Sequence, residues 1–456
     1  MKTGILIITA CLLTFGVCGQ ASVALQELLA TEGIRNAAVG ITVKQIKDGK
    51  MVIAHNPAMA LTPASVAKIL PTWFALQEKG ADYRYQTSVS YTGEIKDGLL
   101  TGNIILKASG DPTLDSRYFP NHTLVTALVS AIQKAGIRRI QGNILIEGAA
   151  KGTNIPGSWP WEDISNYYAA LYLPFNYRDN TYTLTFQSGA PGTSAKLISI
   201  DPAIPEVEIS NEVKVSAVNK DDAWIFGGPF SSGLCVKGTI PSGRSAFKVK
   251  GAMHDPAAFF INELTVALSE KGIQLDRQNN PATGQTELLR LYSPRLEEIV
   301  FHTNKASVNL FAESLGYLVG QEEWPGKASA LLTNIKVDAS GLILNDACGL
   351  SPMNAVPSQV FTDLLVHIGR GGNTAFLRSL PIAGIDGGLA GYCYAFPRLK
   401  NNIKAKTGSM SGVRCLSGYI TRTNEEQLAF TVLINHYTCP VAQLQKAVGR
   451  FLNSLL

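Results

Sequence analysis

Helical and strand-type hydrophobic patterns alternate along the chain, and the first pattern is a helix, a hairpin and a second helix. Apolar residues recur at helical spacing over 22–34, and two short apolar runs then flank Asp48-Gly49, a pair typical of a hairpin turn. Pro63 and Gly80 enclose another apolar stripe, and proline at the start with glycine at the end is typical of a helix. The chain therefore opens as an α+β domain.

The middle of the chain has a different hydrophobic pattern and composition. From about Tyr85 to Leu291 the pattern is one of short alternating strands rich in Ser, Thr, Gly and Pro, and helical patterns return afterwards. We therefore expect insertions within one domain, one nested inside the other, and a length of 456 residues also favours two or three domains. The predicted boundaries are 1–21 for a signal peptide, 22–88 and 292–456 for the main domain, 89–170 and 246–291 for the first insertion, and 171–245 for the second.

The N-terminus has the pattern of a secretory signal. Met1-Lys2 precedes an apolar run over 5–17 that is too short for a comfortable membrane span, and small or polar residues follow it. The mature protein is therefore expected outside the cytoplasm, in the periplasm, either free or held peripherally at a membrane. A lipoprotein signal with Cys18 acylated is the alternative, and Val17 fits that pattern poorly.

Composition narrows the classes of function. The formal net charge is +5, and Lys and Arg are scattered along the chain. The sequence therefore shows no basic cluster of the kind that binds nucleic acid. The chain contains no Cys-x-x-Cys pair and its six histidines stand apart, so neither a metal nor a cofactor is predicted. One or two disulfides among the last four cysteines, and the oligomeric state, are left open.

The tail over 441–455 is an amphipathic helix pattern. It could contact a membrane or pack on a sheet, and packing is favoured because its polar face is not especially basic.

The strongest chemical signal lies in the predicted helix that begins at Pro63. Ser65 and Lys68 are three residues apart there, so both side chains share one face of the helix. A neutral lysine amine at that position could remove the serine hydroxyl proton and create a nucleophile without histidine. A second Ser-x-x-Lys, at Ser245 and Lys248, lies in an alternating stretch that predicts a strand, where residues three apart point to opposite faces. We therefore assign the chemistry to the first pair.

Two downstream stretches supply the other groups that such a site needs, a proton relay and a cation for a carboxylate. Ser307 and Asn309 lie in a predicted turn before a helix, where alternate spacing can direct both side chains into one cleft. Lys406 and Gly408 share one face of a predicted edge strand, and Gly408 would let a substrate backbone lie close in the manner of strand addition.

The order of these three motifs resembles that of the penicillin-binding proteins and serine β-lactamases. The wide gap after the first motif resembles the class C low-molecular-mass group, the D-alanyl-D-alanine carboxypeptidase/endopeptidase family. The resemblance implies an α+β, β-lactamase-like transpeptidase domain, with an antiparallel sheet, helices on both faces and a helical part, that carries two nested mainly-β insertions. The further stretches that carry it are 110–114, 346–351, 380–387 and 405–413.

One departure is visible at 346–350. The family often has Asp-Gly-Ser-Gly-Leu where this chain has Asp-Ala-Cys-Gly-Leu, and the departure puts no catalytic role in doubt.

The resemblance also implies a role for each site residue. Ser65 would form the acyl-enzyme with Lys68 as its base, and Ser307 would relay a proton to the departing D-alanine. The substrate is then a peptidoglycan stem peptide, and β-lactam antibiotics are inhibitors. The residues that would bind the substrate are Asn309 for the peptide backbone, Lys406 and Thr407 for the terminal carboxylate, Gly408 beside it, the amide of Ser409 with that of Ser65 for the oxyanion, and Asp163 for a side chain of the stem.

Two other functions are alternatives to this one. A β-lactamase would use the same chemistry, but small β-lactamases lack the insertion of roughly 200 residues, and no second carboxylate base stands just after Asn309. A non-catalytic wall-binding protein would have no need of both serines and both lysines. Ser-His-Asp chemistry is disfavoured because the chain has no Gly-x-Ser-x-Gly elbow.

Overall fold

A computed structural model describes residues 19–149, 155–204, 207–228, 231, 233–253, 255–281, 283–389 and 395–456. Residues 1–18 of the predicted signal, which include Cys18, lie outside this set, as does Cys393.

The helices predicted over 22–34, from Pro63 to Gly80 and over 441–455 are present, with boundaries that differ by a few residues. The helices are α1 (19–30), α2 (Ile69–Lys79), α3 (Leu124–Lys134), α4 (Pro256–Glu270), α5 (Leu296–Lys305), α6 (Asn309–Gly320), α7 (Trp324–Asn334), α8 (Ser358–Gly371), α9 (Thr374–Ser379) and α10 (Val441–Asn453). The strands are β1 (Ala38–Gln45), β2 (Met51–His55), β3 (Ala60–Leu61), β4 (Gln86–Tyr91), β5 (Glu94–Lys96), β6 (Leu99–Thr101), β7 (Ile104–Lys107), β8 (Arg139–Gln141), β9 (Ile144–Glu147), β10 (Thr181–Gln187), β11 (Lys196–Asp201), β12 (Glu208–Ser216), β13 (Asp222–Phe226), β14 (Gly233–Pro241), β15 (Phe247–Ala252), β16 (Gln274–Asp276), β17 (Thr286–Tyr292), β18 (Val356–Pro357), β19 (Ile403–Met410), β20 (Val413–Thr421) and β21 (Gln427–Asn435).

The chain forms two compact units. The first contains residues up to 81, 300–308 and 315–456, and the second contains 82–299 and 309–314. The predicted nested division of the middle region into two insertions stays a prediction.

A five-stranded antiparallel sheet organises the first unit. Its strand order is β19-β20-β21-β1-β2, and β1 and β2 form the hairpin that the Asp48-Gly49 pair predicted. The strand β19 lies at one edge, where its outer side is not covered by another strand of this sheet. This edge strand carries Lys406, Thr407 and Gly408, the third of the predicted motifs.

One face of the sheet packs against α8 through a buried row of hydroxyls. Thr42, Thr431 and Ser417 stand opposite one another in cross-strand register, and the register continues to Lys406 on β19. Thr362 of α8 donates to the hydroxyl of Thr431 at 2.8 Å, and the hydroxyls of Ser417 and Thr431 are also 2.8 Å apart. Because every hydroxyl in this row is fully buried and hydrogen-bonded, the row fixes the position of α8 on the sheet.

The opposite face packs against α1 and α10. Apolar side chains at alternate positions of β1, β20 and β21 form one core cluster with residues of both helices. The α10 members are Leu444, Val448, Phe451 and Leu452, all almost fully buried. The tail helix therefore packs on the sheet as predicted, and the amphipathic pattern is accounted for by this contact.

In its described residues, the second unit is mainly β-structure and includes the helices α3 and α4. Its sheets have the orders β17-β4-β7-β9, β16-β8-β6-β5, β11-β10-β15 and β12-β14-β13. Apolar side chains of α3 and α4 join those of the strands in one cluster. Lys248 of the second Ser-x-x-Lys pair lies on β15 and Ser245 lies in the bend before it, so that pair is not helical, as predicted.

Within the described residues, no helix combines the length and apolar character that crossing a membrane requires. The cysteines Cys235, Cys348, Cys415 and Cys439 are free, so no disulfide joins them.

We expect Leu452→Ala to lower the free energy of unfolding by about 2–5 kcal/mol, because a fully buried leucine of α10 leaves a cavity against the sheet. Lys446→Ala is the matched control, since Lys446 is an exposed residue of the same helix and should change stability by less than about 0.5 kcal/mol. The melting temperatures of the two variants measure the difference. Equal melting temperatures would contradict the packing of α10.

Candidate active site

Ser65 and Lys68 lie on a single tight turn that leads directly into α2. The turn over Ala64–Lys68 is a 3₁₀ helix rather than the first turn of an α-helix, which corrects the predicted local geometry. In a 3₁₀ helix, residues three apart lie directly above one another, so this geometry aligns the two side chains. The Lys68 Nζ donates to the Ser65 Oγ at 2.9 Å, and the Lys68 side chain is fully buried.

A loop from a distant part of the sequence holds the same lysine. The Lys68 Nζ also donates to the backbone carbonyl of Cys348 at 2.6 Å. Asp346 shapes that loop, because its buried carboxylate accepts from the amides of Gly349 and Ser351 at 2.8 and 2.6 Å. The Ser65 hydroxyl and the Cys348 carbonyl therefore both help to orient the amine.

Two glycines let the backbone approach the turn closely on two sides. A side chain at Gly349 would begin 1.9 Å from the carbonyl oxygen of Ala64, and Gly349 also has a φ of +84°. A side chain at Gly408 would begin 2.5 Å from the carbonyl oxygen of Pro63 and 3.1 Å from the amide nitrogen of Ser65. The sequence predicted that a substrate backbone would lie beside Gly408. On the side to which a Gly408 side chain would point, the backbone of the Ser65 turn fills that space.

Ser307 occupies a strained turn between α5 and α6. Its φ is +58°, in the left-handed region that side chains other than glycine rarely adopt. The Lys406 Nζ donates to the Ser307 Oγ at 2.9 Å and to the carbonyl of Thr407 at 2.9 Å. Neighbouring Lys305 forms an ion pair of 2.6 Å with Asp386, which anchors the chain beside the turn. Strain of this kind persists only where the surroundings hold it, and here they direct the hydroxyl toward Lys406.

The two lysine amines influence each other electrostatically. Lys406 is almost fully buried, and burial together with the nearby charge of Lys68 lowers the pKa of its amine well below the ordinary value. Two buried ammonium groups that influence each other repel, so the site disfavours both amines being charged at once. A neutral amine, which a lysine base requires, is therefore available in this site.

The free edge of β19 offers backbone hydrogen bonds next to these side chains. The amide of Ala405 points away from β20, because it donates to the carbonyl of Pro381 at 2.9 Å. Alternate residues of an antiparallel strand present their amide and carbonyl to the same edge. The amides of Thr407 and Ser409 therefore point to the outer edge as well, beyond the part covered by Pro381. That edge can accept an extended peptide by strand addition.

Asn309 and Asp163 belong to the second unit, and both contact Tyr168. Asn309 begins α6, two residues after Ser307, and its Nδ2 donates to the Tyr168 carbonyl at 2.6 Å. The Tyr168 hydroxyl donates to Asp163 Oδ1 at 2.7 Å. Partial burial raises the pKa of the Asp163 carboxyl and, together with Asp163, that of the Tyr168 hydroxyl.

The sequence prediction missed the residues that support the site. The side chain of Asn435 accepts a hydrogen bond from the amide of Thr62 at 2.8 Å and donates one to the Thr62 carbonyl at 3.0 Å. These two bonds fix the chain just before the turn that carries Ser65. Asn304 donates to Ser379 at 2.8 Å and to Thr72 at 3.3 Å, which joins α5 to α2 and α9. In the sequence, Asn435 directly follows the apolar run over 429–434, and this position is the signal that could have identified it.

We expect Gly349→Ala to destabilise the chain, because the added Cβ would collide with the carbonyl of Ala64 and the positive φ would cost about 1–3 kcal/mol in addition. Gly326→Ala is the matched control: Gly326 lies in α7 with open space around it, and alanine there should stabilise the helix by up to about 1 kcal/mol. Melting temperatures that move in opposite directions would confirm this expectation. A Gly349→Ala protein as stable as the native chain would contradict it.

Similarity to known proteins agrees with this geometry. Residues 21–454 match the family model described as the D-Ala-D-Ala carboxypeptidase 3 (S13) family. D-alanyl-D-alanine carboxypeptidase DacB of Haemophilus influenzae is 25% identical over 422 residues, which cover 88% of this chain and 86% of the relative.

Solved structures show the same fold. The crystal structure of penicillin binding protein 4 (dacB) from H. influenzae superposes with a TM-score of 0.79 at 24% identity, over 95% of this chain and 98% of that one. A second structure of that protein, complexed with a β-lactam, superposes with a TM-score of 0.74 at 23% identity over the same shares. The predicted penicillin-binding, transpeptidase-like fold is therefore confirmed. The chain belongs to the D-Ala-D-Ala carboxypeptidase 3 (S13) family and is an enzyme of the serine type.

Proposed function

We propose that the protein is a secreted serine DD-peptidase that cleaves D-alanyl peptide bonds of peptidoglycan stem peptides through an acyl-enzyme on Ser65. Both the terminal D-alanyl-D-alanine bond and the D-alanyl cross-link are substrates, so the activity is that of a carboxypeptidase and an endopeptidase. The observation that carries the proposal is the pairing of two buried lysines with two serines, Lys68 with Ser65 and Lys406 with Ser307, each at 2.9 Å.

Acylation begins when neutral Lys68 takes the proton of the Ser65 hydroxyl. The Ser65 oxygen forms a bond with the carbonyl carbon of the penultimate D-alanine, and the negative charge on the carbonyl oxygen is held by the amides of Ser65 and Ser409. Collapse of this intermediate breaks the carbon–nitrogen bond, and Ser307 passes a proton to the leaving amine. In the second step a water molecule releases the peptide from Ser65 and restores the hydroxyl.

The carboxylate of the substrate changes the charge balance of the two lysines. In the free site, burial and the charge of Lys68 both lower the pKa of Lys406. A terminal carboxylate bound by Thr407 and Lys406 offsets both effects and favours a charged Lys406. Substrate binding thereby places the positive charge on Lys406 and leaves Lys68 neutral. Lys68 can then accept the Ser65 proton when the correct substrate is bound.

The remaining residues bind the rest of the peptide. The outer edge of β19 pairs with the extended backbone of the substrate, and Asn309 binds a peptide group of the stem. Asp163 meets a stem side chain, and its hydrogen bond to Tyr168 holds the carboxylate in one orientation.

Inhibition by β-lactams is part of the proposal. The relative from H. influenzae that superposes on this chain has been crystallised with a β-lactam. A β-lactam carries an amide carbonyl and a carboxylate in a fixed arrangement, as the D-alanyl-D-alanine terminus does, so the same residues would bind it.

Secretion to the periplasm is proposed from the N-terminal signal pattern over 1–21. Peptidoglycan lies outside the cytoplasm, so the substrate requires that location.

We expect benzylpenicillin to add one molecule to the native chain, on the peptide that contains Ser65, and to add none to Ser65→Ala. Intact-mass and peptide mass spectrometry measure the adduct. Ser245→Ala is the control, because the second Ser-x-x-Lys pair has no helical geometry and its loss should leave the adduct unchanged.

The lifetime of the adduct separates the peptidase from the β-lactamase. A long-lived adduct together with release of D-alanine from a stem pentapeptide supports the proposal. Rapid turnover of penicillin, or an adduct that persists in Ser65→Ala, contradicts it.

We also expect the rate of acylation by benzylpenicillin to fall in acid, because protons restore the charge of the lysine pair and remove the base. In Lys406→Met the repulsion that opposes a charged Lys68 is lost, so the acid limb of the profile should move to higher pH, although the rate falls at every pH. Lys404→Met, an exposed residue of the same strand, is the control and should keep the native profile. A flat native profile, or identical limbs in the native chain and Lys406→Met, would count against the lysine pair.

A further inference from the structure

A buried asparagine lies three residues before Ser307, and the chemistry described above does not use it. Asn304 is in the last turn of α5, its side chain is fully buried, and it belongs to the first unit together with the serine and lysine pairs. Asparagine favours helix ends and surfaces over buried helical positions, because its amide must then find partners inside the protein. The hydrogen bonds of Asn304 therefore indicate what it does.

Two hydroxyls face the Asn304 amide, and both have already used their only hydrogen. The Thr72 hydroxyl donates to the Lys68 carbonyl at 2.6 Å, and the Ser379 hydroxyl donates to the Phe376 carbonyl at 2.6 Å. Each hydroxyl can therefore only accept from the amide, which requires the amide nitrogen on that side. The Nδ2 of Asn304 donates to Ser379 at 2.8 Å and to Thr72 at 3.3 Å, so both of its hydrogens are used.

These bonds form a continuous path from the catalytic lysine to the helix that ends beside Ser307. The Lys68 carbonyl accepts from Thr72 on α2, and Thr72 accepts from Asn304 on α5. Among the residues that the structure describes, the Asn304 Oδ1 has no hydrogen-bond partner. The link between α2 and α5 that this side chain provides thus comes from its nitrogen, and we call the bond from Asn304 to Thr72 the Asn304 tether.

The turn that follows α5 needs such support. Ser307 has a φ of +58°, and a strained conformation of this kind persists only where neighbouring contacts hold it. Lys305 pairs with Asp386, whose carboxylate also accepts from the amide of Ile382 at 2.7 Å. That pair joins the turn to the segment before β19, whereas the Asn304 tether joins it to the helix that follows Ser65 and Lys68.

We propose that Asn304 is a positioning residue for acyl transfer, which acts through Thr72 to set the Ser307 hydroxyl relative to Ser65 and Lys68. The inference rests on the proposed function, because it takes the proton relay by Ser307 as the step that depends on this position. Without the tether the strained turn can relax, and the Ser307 hydroxyl leaves the place from which it delivers a proton to the leaving amine. A displacement of about 1 Å can slow such a step by about 100-fold.

The test is the second-order rate constant for acylation by benzylpenicillin, followed by intact mass, in chains that keep or lose the tether. Thr72→Val keeps the shape of threonine and loses the hydroxyl, whereas Thr72→Ser keeps the hydroxyl. We expect Asn304→Ala and Thr72→Val to acylate about 10- to 100-fold more slowly than the native chain, and Thr72→Ser to stay within about threefold of it. The Thr72 pair carries the test if Asn304→Ala does not fold.

A double-mutant cycle with Ser307→Ala separates positioning from a general structural role. If Asn304 acts through Ser307, then adding Asn304→Ala or Thr72→Val to Ser307→Ala should slow acylation by less than about twofold further. Leu452→Ala is the control for lost stability, because it opens a cavity on α10 without touching the tether. It should acylate at the native rate at any temperature at which it remains folded.

Three results would overturn the positioning role. They are native rates in both Asn304→Ala and Thr72→Val, equal rates in Thr72→Val and Thr72→Ser, and the same loss from removing the tether with and without Ser307. The proposed function is tested separately by the penicillin adduct on the native chain. An adduct on Ser65 together with any of these three results would leave the peptidase function in place, whereas no adduct on the native chain would overturn both.

Discussion

The structure depends on burying two lysine amines in one site without burying two charges. An isolated ammonium in a protein interior is strongly unfavourable, so each amine must find oxygen acceptors or lose its proton. Lys68 has the Ser65 hydroxyl and the Cys348 carbonyl, and Lys406 has the Ser307 hydroxyl and the Thr407 carbonyl. The hydrogen bond to a serine hydroxyl thus helps each lysine amine to be buried.

The surrounding fold holds the turn over Ala64–Lys68, which carries Ser65 and Lys68, from several sides. Gly349 and Gly408 allow two separate backbone segments to contact the turn, and Asn435 fixes the chain before it. The sheet beneath is fixed to α8 by a row of buried hydroxyls whose register leads to Lys406. An error of about 1 Å in such a site is costly, because acid–base catalysis depends on hydrogen-bond geometry, and this explains why so much rigid structure supports four side chains.

The second unit holds two of the predicted binding residues on one tyrosine. The Nδ2 of Asn309 donates to the Tyr168 carbonyl, and the Tyr168 hydroxyl donates to Asp163. In the proposed function, the residues that would carry out acyl transfer belong to the first unit, and these two residues belong to the second.

The sequence alone determined the local patterns: the hairpin at Asp48-Gly49, the amphipathic tail helix, and the three motifs whose order resembles one family. These depend on spacing within a few residues, which a sequence displays directly. Tertiary structure decided what long-range contacts control. The 3₁₀ geometry at Ser65, the carbonyl of Cys348 on Lys68 and the role of Gly408 arise from segments hundreds of residues apart, and no local pattern records which backbone will face a given side chain.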